Sequence, residues 1–176
     1  KDRAYYLELY SSNRESILDS LKEMRPKYRT RSGRTVYGGG GITPDIYIPY
    51  SSKTTSSVQK ITGHNKRPIF NWASSYTDNY KLNEKLNNYR SFKNNWKLPL
   101  EHHTDFLQYL ETEGIETDTV YTDEETEILT LRIKAEIAGI IWGRNEATGV
   151  RLTEDNQVQE GIKYFDEASV FINHSF

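Results

Sequence analysis

Arg31-Ser-Gly-Arg-Thr-Val-Tyr-Gly-Gly-Gly-Gly-Ile-Thr-Pro-Asp45 is the stretch from which the rest of the chain can be read. Each glycine costs chain entropy on folding. Four in a row make sense where backbone takes positive φ or passes close to another group. Both flanks read as strand: Thr35, Val36 and Tyr37 before the run, and Asp45-Ile-Tyr-Ile-Pro49 after it, with Ile46 and Ile48 on one face and Tyr47 on the other. The expectation is a strand, a sharp glycine bend and a second strand. Such a pair leaves open edges, so it is expected to form the edge of a larger sheet or to pair with another chain.

Upstream, Asp2 to Leu9 and Asn13 to Met24 read as two short helices, because Ile17, Leu18, Leu21 and Met24 recur at helical spacing. Ser12 or Asn13 supplies the cap, and Pro26 stops the second helix. Downstream, Ser51 to Gly63 is rich in hydroxyl residues and poor in apolar ones, which predicts a linker or surface loop. A helical half follows. Phe70 to Tyr89 carries one apolar stripe, and the Asn87-Asn88, Asn94-Asn95 and Pro99 region reads as turns. Glu101 to Glu113 reads as a helix closed by Gly114 at C′.

The strongest local signal is Thr122-Asp-Glu-Glu125, a capping box opening a helix from about Asp123 to Trp142. Leu129, Ile133, Ile137, Ile140 and Ile141 make one stripe on it, and Leu131, Ala135, Ala138 and Trp142 a second. Apolar residues over so much of the circumference predict burial on two sides, and the core of the helical half is expected here. Gly143 ends the helix, with Arg144 near its negative end. A last helix is expected over Glu154 to Ile172, capped by Thr153.

Composition narrows the function classes. With 176 residues there is enough chain for a real core, and a formal net charge of −2 gives no electrostatic reason to expect nucleic acid or an anionic membrane as partner. No apolar run approaches the ~20 residues that span a bilayer. The absence of cysteine excludes disulfides and thiol chemistry. The sequence starts Lys-Asp-Arg, with neither Met nor signal peptide, and is expected to be a piece of something longer.

Gly33-Arg34-Thr35-Val36-Tyr37-Gly38-Gly39-Gly40-Gly41-Ile42-Thr43-Pro44-Asp45 resembles the Gly-Arg…Gly-Gly-Ile-x-Pro-Asp signature of the carboxyl-terminal processing peptidases, or tail-specific proteases. These are serine peptidases with a Ser–Lys dyad. The match has about 13 residues with fixed Gly, Pro and Asp positions, far more specific than a lone glycine loop. A looser match, Arg132-Ile-Lys-Ala-Glu-Ile-Ala138…Trp142-Gly143 followed by Glu154-Asp-Asn-Gln-Val-Gln159, is similar to the helical tail of the longer members. In that family the signature lies downstream of both catalytic residues. The resemblance therefore implies that the dyad precedes this chain, and no Ser or Lys here stands in the family's context. It further implies a parent endopeptidase that acts on protein or peptide substrates with unstructured C-terminal tails, commonly through a PDZ domain, in the periplasm, cell envelope or secreted space.

The remaining chemistry is thin. Phosphate-binding glycine loops open a helix and, in the P-loop, end in Gly-Lys-Ser/Thr; here Thr43-Pro44 and a strand pattern follow, which argues against that use. His102 and His103 cannot both face one metal from a helix, since neighbours point ~100° apart. No His-Glu-x-x-His and no cysteine ligand is present, so neither metal nor cofactor is expected. Ser51 to Ser57 offers serines but no oriented base or oxyanion hole. The 13 tyrosines and three tryptophans, scattered over strands and helices, read as core and rim packing.

The expected fold class is α+β: a glycine-bend strand pair with short N-terminal helices, followed by a mainly helical half. Residues 1–50 would close the peptidase core, 51–68 form a linker, and 69–176 form a helical C-terminal domain. Gly38 to Gly41 would let the backbone bend beside the catalytic core, with Arg34 and Asp45 anchoring the bend by hydrogen bonds or an ion pair. Three roles are open to the helical half: capping the core, self-association, or gating access. The alternative function is a non-catalytic binding or assembly module that keeps the peptidase's structural signature.

Overall fold

Lys27–Arg29 (β1) and Thr35–Tyr37 (β2) form an antiparallel ribbon in the register Lys27↔Tyr37, Tyr28↔Val36 and Arg29↔Thr35. The computed structural model describes residues 24–31, 33, 35–38, 46–51, 54–116 and 121–173. The helices expected over Asp2 to Leu9 and Asn13 to Met24 fall outside these, apart from Met24, which lies in a turn. Thr35–Tyr37 is a strand as expected, but its partner among the described residues lies upstream. Residues 46–50 form no regular strand. The reversal that joins the ribbon runs through Thr30 to Gly33, where the Gly33 N–H donates to Thr30 O at 2.9 Å and Gly33 takes φ +81°. Left-handed backbone is close to free for glycine and costly for other residues. A short glycine-containing loop between two β-rich runs is a hairpin signal in its own right.

The chain divides into two compact units, Lys1–Ile48 with Lys163–Phe176, and Pro49–Ile162. The first holds the ribbon and helix Phe165–Asn173. The second is helical: α1 (Ser56–Thr62), α2 (Pro68–Asn79), α3 (Leu82–Lys85), α4 (Tyr89–Asn95), α5 (Leu100–Thr112), α6 (Asp123–Ile141), α7 (Arg144–Arg151) and α8 (Asn156–Ile162). The helix of the first unit is α9. The class is α+β and mainly helical.

Helix α6 is the centre of the second unit and packs chiefly on α7 and α2. Its capping box is formed. The Glu125 N–H donates to Thr122 Oγ1 at 3.2 Å, and the Thr122 N–H donates to Glu125 Oε2 at 3.0 Å. Leu129, Ile133, Ala135, Ile137 and Ala138 are fully buried, Leu131, Ile141 and Trp142 pack partly buried against the same core, and Ile140, read as part of the first stripe, is exposed. Two-sided burial follows, as the two stripes require. Val58 and Ile61 of α1, Trp72 and Ala73 of α2, Phe106 and Leu110 of α5 and Val150 of α7 complete that core.

Three segments differ from their sequence reading. Within the stretch read as a linker, Ser56–Thr62 is helical. Thr55 caps it by accepting from Val58 N, and a single apolar pair, Val58 and Ile61, holds it in the core. The stripe from Phe70 to Tyr89 is not one helix. Lys81 turns left-handed (φ 50°) after α2, and Asn88 starts α4 by accepting from Ser91 N at 2.9 Å. That reversal sits on a lysine, so no glycine or proline marked it. The expected helix from Glu154 to Ile172 is broken between Ile162 and Phe165. Asp155, not Thr153, starts α8, accepting from Val158 N at 3.0 Å; Thr153 Oγ1 donates back to Val150 O. By contrast, α5 ends as read, with Gly114 at φ +66°.

Candidate functional site

The glycine signature is the chain's most specific feature, and β2 delivers it. Gly33, Tyr37 and Gly38 lie among the described residues; Arg34, Gly39, Gly40, Gly41, Ile42, Pro44 and Asp45 lie outside them. The expected Arg34–Asp45 anchor falls with these. Gly38 extends the ladder one rung beyond β2, its N–H donating to Pro26 O at 2.9 Å. The Tyr28 ring lies over it: a Cβ on Gly38 would stand 2.5 Å from Tyr28 Cε2. The first glycine of the run therefore lets the Tyr28 ring lie close, and is not there for left-handed backbone. A side chain there would have to swing out the Tyr28 ring, which is 59 % exposed. Tyr37 is half-buried, and the Lys27 ammonium stands 5.9 Å from its ring centroid, a cross-strand cation–π contact. Tyr28 was missed in the sequence because the residues between Pro26 and the glycine signature were given no strand reading. The Lys-Tyr-Arg-Thr run after Pro26 was the signal that could have found it.

In the helical unit, both adjacent histidines are buried. His102 Nδ1 lies 3.0 Å from Asp105 Oδ2 and 3.4 Å from Tyr80 OH, and its ring packs edge-on against Tyr76 and Tyr80. Burial first, then the neighbouring Tyr80, Glu101 and Asp105, push the Tyr76 phenol up to about 12. A His–Asp pair can serve a hydroxyl nucleophile, yet the nearby threonines spend theirs on helix backbone: Thr77 Oγ1 donates to Ala73 O and Thr104 Oγ1 to Leu100 O. The cluster is an aromatic stack, Trp72 on Tyr76 on Tyr80, with His102 as its polar edge. His103 points elsewhere; burial lowers its pKa, and its Nε2 has no hydrogen-bond partner. Burial first, then the neighbouring Lys97, lower the Lys134 pKa from its ordinary value. A depressed lysine can activate a serine, but Lys134 Nζ donates to Lys93 O at 2.8 Å and Trp96 O at 2.7 Å, closing the end of α4. Among the described residues no group of three or more His, Asp or Glu is placed to hold a metal ion, and no helix is long and apolar enough to cross a membrane.

Residues 64–143, from the loop before α2 to the end of α6, match the profile of a family of unknown function (DUF8443). No curated protein and no solved structure matches the chain. The family match covers the aromatic stack and the central helix but stops short of α7, and it leaves the glycine signature to be weighed on its own residues.

Proposed function

We propose that this chain is the C-terminal part of a tail-specific serine endopeptidase, one that degrades or processes proteins from unstructured C-terminal tails. The observation that carries it is the 33–45 signature, Gly-Arg-Thr-Val-Tyr-Gly-Gly-Gly-Gly-Ile-Thr-Pro-Asp, which contains strand β2 and whose glycine run begins with Gly38, packed under Tyr28. A ribbon of three-residue strands is marginal on its own. Its shortness supports a place at the margin of a larger sheet, which a catalytic core upstream would supply. The Ser–Lys dyad would stand in that upstream core, and the helical unit would cap the core, gate it or join copies of it. A periplasmic, envelope or secreted location goes with this reading, as does a protein or peptide substrate.

The test is hydrolysis of an unstructured protein by the complete gene product. Cleavage that depends on the substrate's C-terminal tail and is blocked by a serine reagent is expected, with the 176-residue chain inert alone. Lack of cleavage, together with loss of Ser and Lys in the family's spacing ahead of the signature, would leave a non-catalytic assembly module instead. Clear hydrolysis by the isolated chain would place the nucleophile within it and refute the assignment.

A further inference from the structure

Three arginines distant in sequence line one cleft of the helical unit, of about 190 Å³. Arg67 immediately precedes α2, Arg132 lies on α6 one turn before Glu136, and Arg151 is the last residue of α7. Pro68 and Phe70 supply apolar wall. The lining carries three positive charges against the single carboxylate of Glu136, and that carboxylate is taken: Arg151 Nη2 donates to Glu136 Oε1 at 2.7 Å. The other two guanidiniums keep unspent donors. Arg132 Nε is buried with no hydrogen-bond partner, and Arg132 forms no ion pair among the described residues. The Arg67 guanidinium lies over the Phe70 ring, 4.3 Å from its centroid, a contact that orients the fork without using its N–H groups.

A buried, unpartnered guanidinium N–H is costly; Arg132 Nε itself is closed to a water-sized group, so an anion in the cleft would be met by the outer Nη donors of Arg132, which lines it. The backbone points the same way. The N-cap of α2 is Arg67, which makes no side-chain cap, and Pro68 at the first helical position has no N–H. The next amides, those of Ile69 and Phe70, have no acceptor within the helix, and this positive end lines the same cleft.

We infer that this cleft binds an oxyanion of the phosphate class, held between Arg67, Arg132 and the first turn of α2. A net lining charge of two positives matches a phosphate dianion. Donors arriving from α6, from the start of α2 and from Arg67 suit a tetrahedral group better than a planar carboxylate. The site lies wholly within the helical unit and stands whether or not the peptidase assignment does.

The test is calorimetric titration of the whole chain with inorganic phosphate, phenyl phosphate and acetate at matched ionic strength. Saturable one-site phosphate binding is expected, with acetate much weaker. Tighter binding of phenyl phosphate would assign a phosphomonoester whose body lies on Phe70, and equal binding would assign free phosphate. Arg132→Met preserves side-chain bulk and should weaken phosphate binding about tenfold or more, the loss expected for a hydrogen bond to a charged group. Arg67→Asn removes the other guanidinium while tolerating the left-handed backbone at φ 50°, and should do the same. Glu136→Gln removes the competing carboxylate and should tighten binding. Wild-type phosphate affinity in both arginine variants, or acetate binding as tightly as phosphate, would overturn the assignment.

Discussion

Glu125→Ala is expected to be among the most damaging single changes in the helical unit, because one carboxylate ties together the starts of two helices. Glu125 is 8 % exposed. Its Oε1 accepts from Thr55 Oγ1 at 2.5 Å, and Thr55 is the cap of α1. Its Oε2 accepts from the Thr122 N–H and from Thr122 Oγ1 at 3.2 Å, and Thr122 is the cap of α6. Losing the reciprocal half of a capping box costs about 1 kcal/mol. A charge-assisted hydrogen bond from Thr55 adds about 1.5 kcal/mol, kept at the low end because Thr55 is itself exposed. The lost buried methylene adds about 0.8 kcal/mol. The total is about 3 kcal/mol, and for a unit of ~110 residues that lowers Tm by about 10 °C. Glu125→Gln keeps the stem and one accepting oxygen, and should cost about half as much. Circular dichroism melts of the two variants measure this directly. A double-mutant cycle with Thr55→Val should return a coupling of about 1 kcal/mol. A drop below about 3 °C for alanine, or glutamine as harmful as alanine, would refute the bridging role assigned to this carboxylate.

Two further outcomes follow from buried titratable groups. His103 has a folded-state pKa below its ordinary 6.5, so the unfolded chain takes up that proton first; its contribution is intact above pH 6.5 and is lost as the pH falls below it. Acid unfolding of His103→Leu should therefore show a shallower decline between pH 7 and 5 than the parent protein, and parallel curves would contradict the assignment. Lys134→Met should release the last carbonyls of α4 and cost about 2 kcal/mol in urea denaturation with an unchanged slope, whereas no loss would mean that water closes that helix end equally well.

Much of the helical unit was legible because its signals are local. Thr122 and Glu125 are three residues apart, so a capping box can be read from letters alone, and the two stripes on α6 state their burial through spacing. Gly114 announced the end of α5 for the same reason. Reversals at Lys81 and Arg67 were not legible, since left-handed backbone at a non-glycine is imposed by packing on both sides of it. The helix Ser56–Thr62 was hidden by its composition: Val58 and Ile61 are too few to make a stripe, and only the core they enter justifies it. The ribbon was half legible. Thr35–Tyr37 was recognisable as a strand, but pairing is a choice between two neighbours, and the tighter Thr30–Gly33 turn brings Lys27–Arg29 alongside it.

By itself, then, the order of residues determined where α6 begins, where α5 and α6 stop, and that a rare glycine signature sits beside a strand. Those properties depend on groups a few bonds or one helical turn apart. Only the tertiary structure decided that Arg67, Arg132 and Arg151 share a cleft, and that Thr55 and Thr122 share one carboxylate. Such convergence comes from how helices stack, and burial energy, which sets the stacking, is indifferent to distance along the chain.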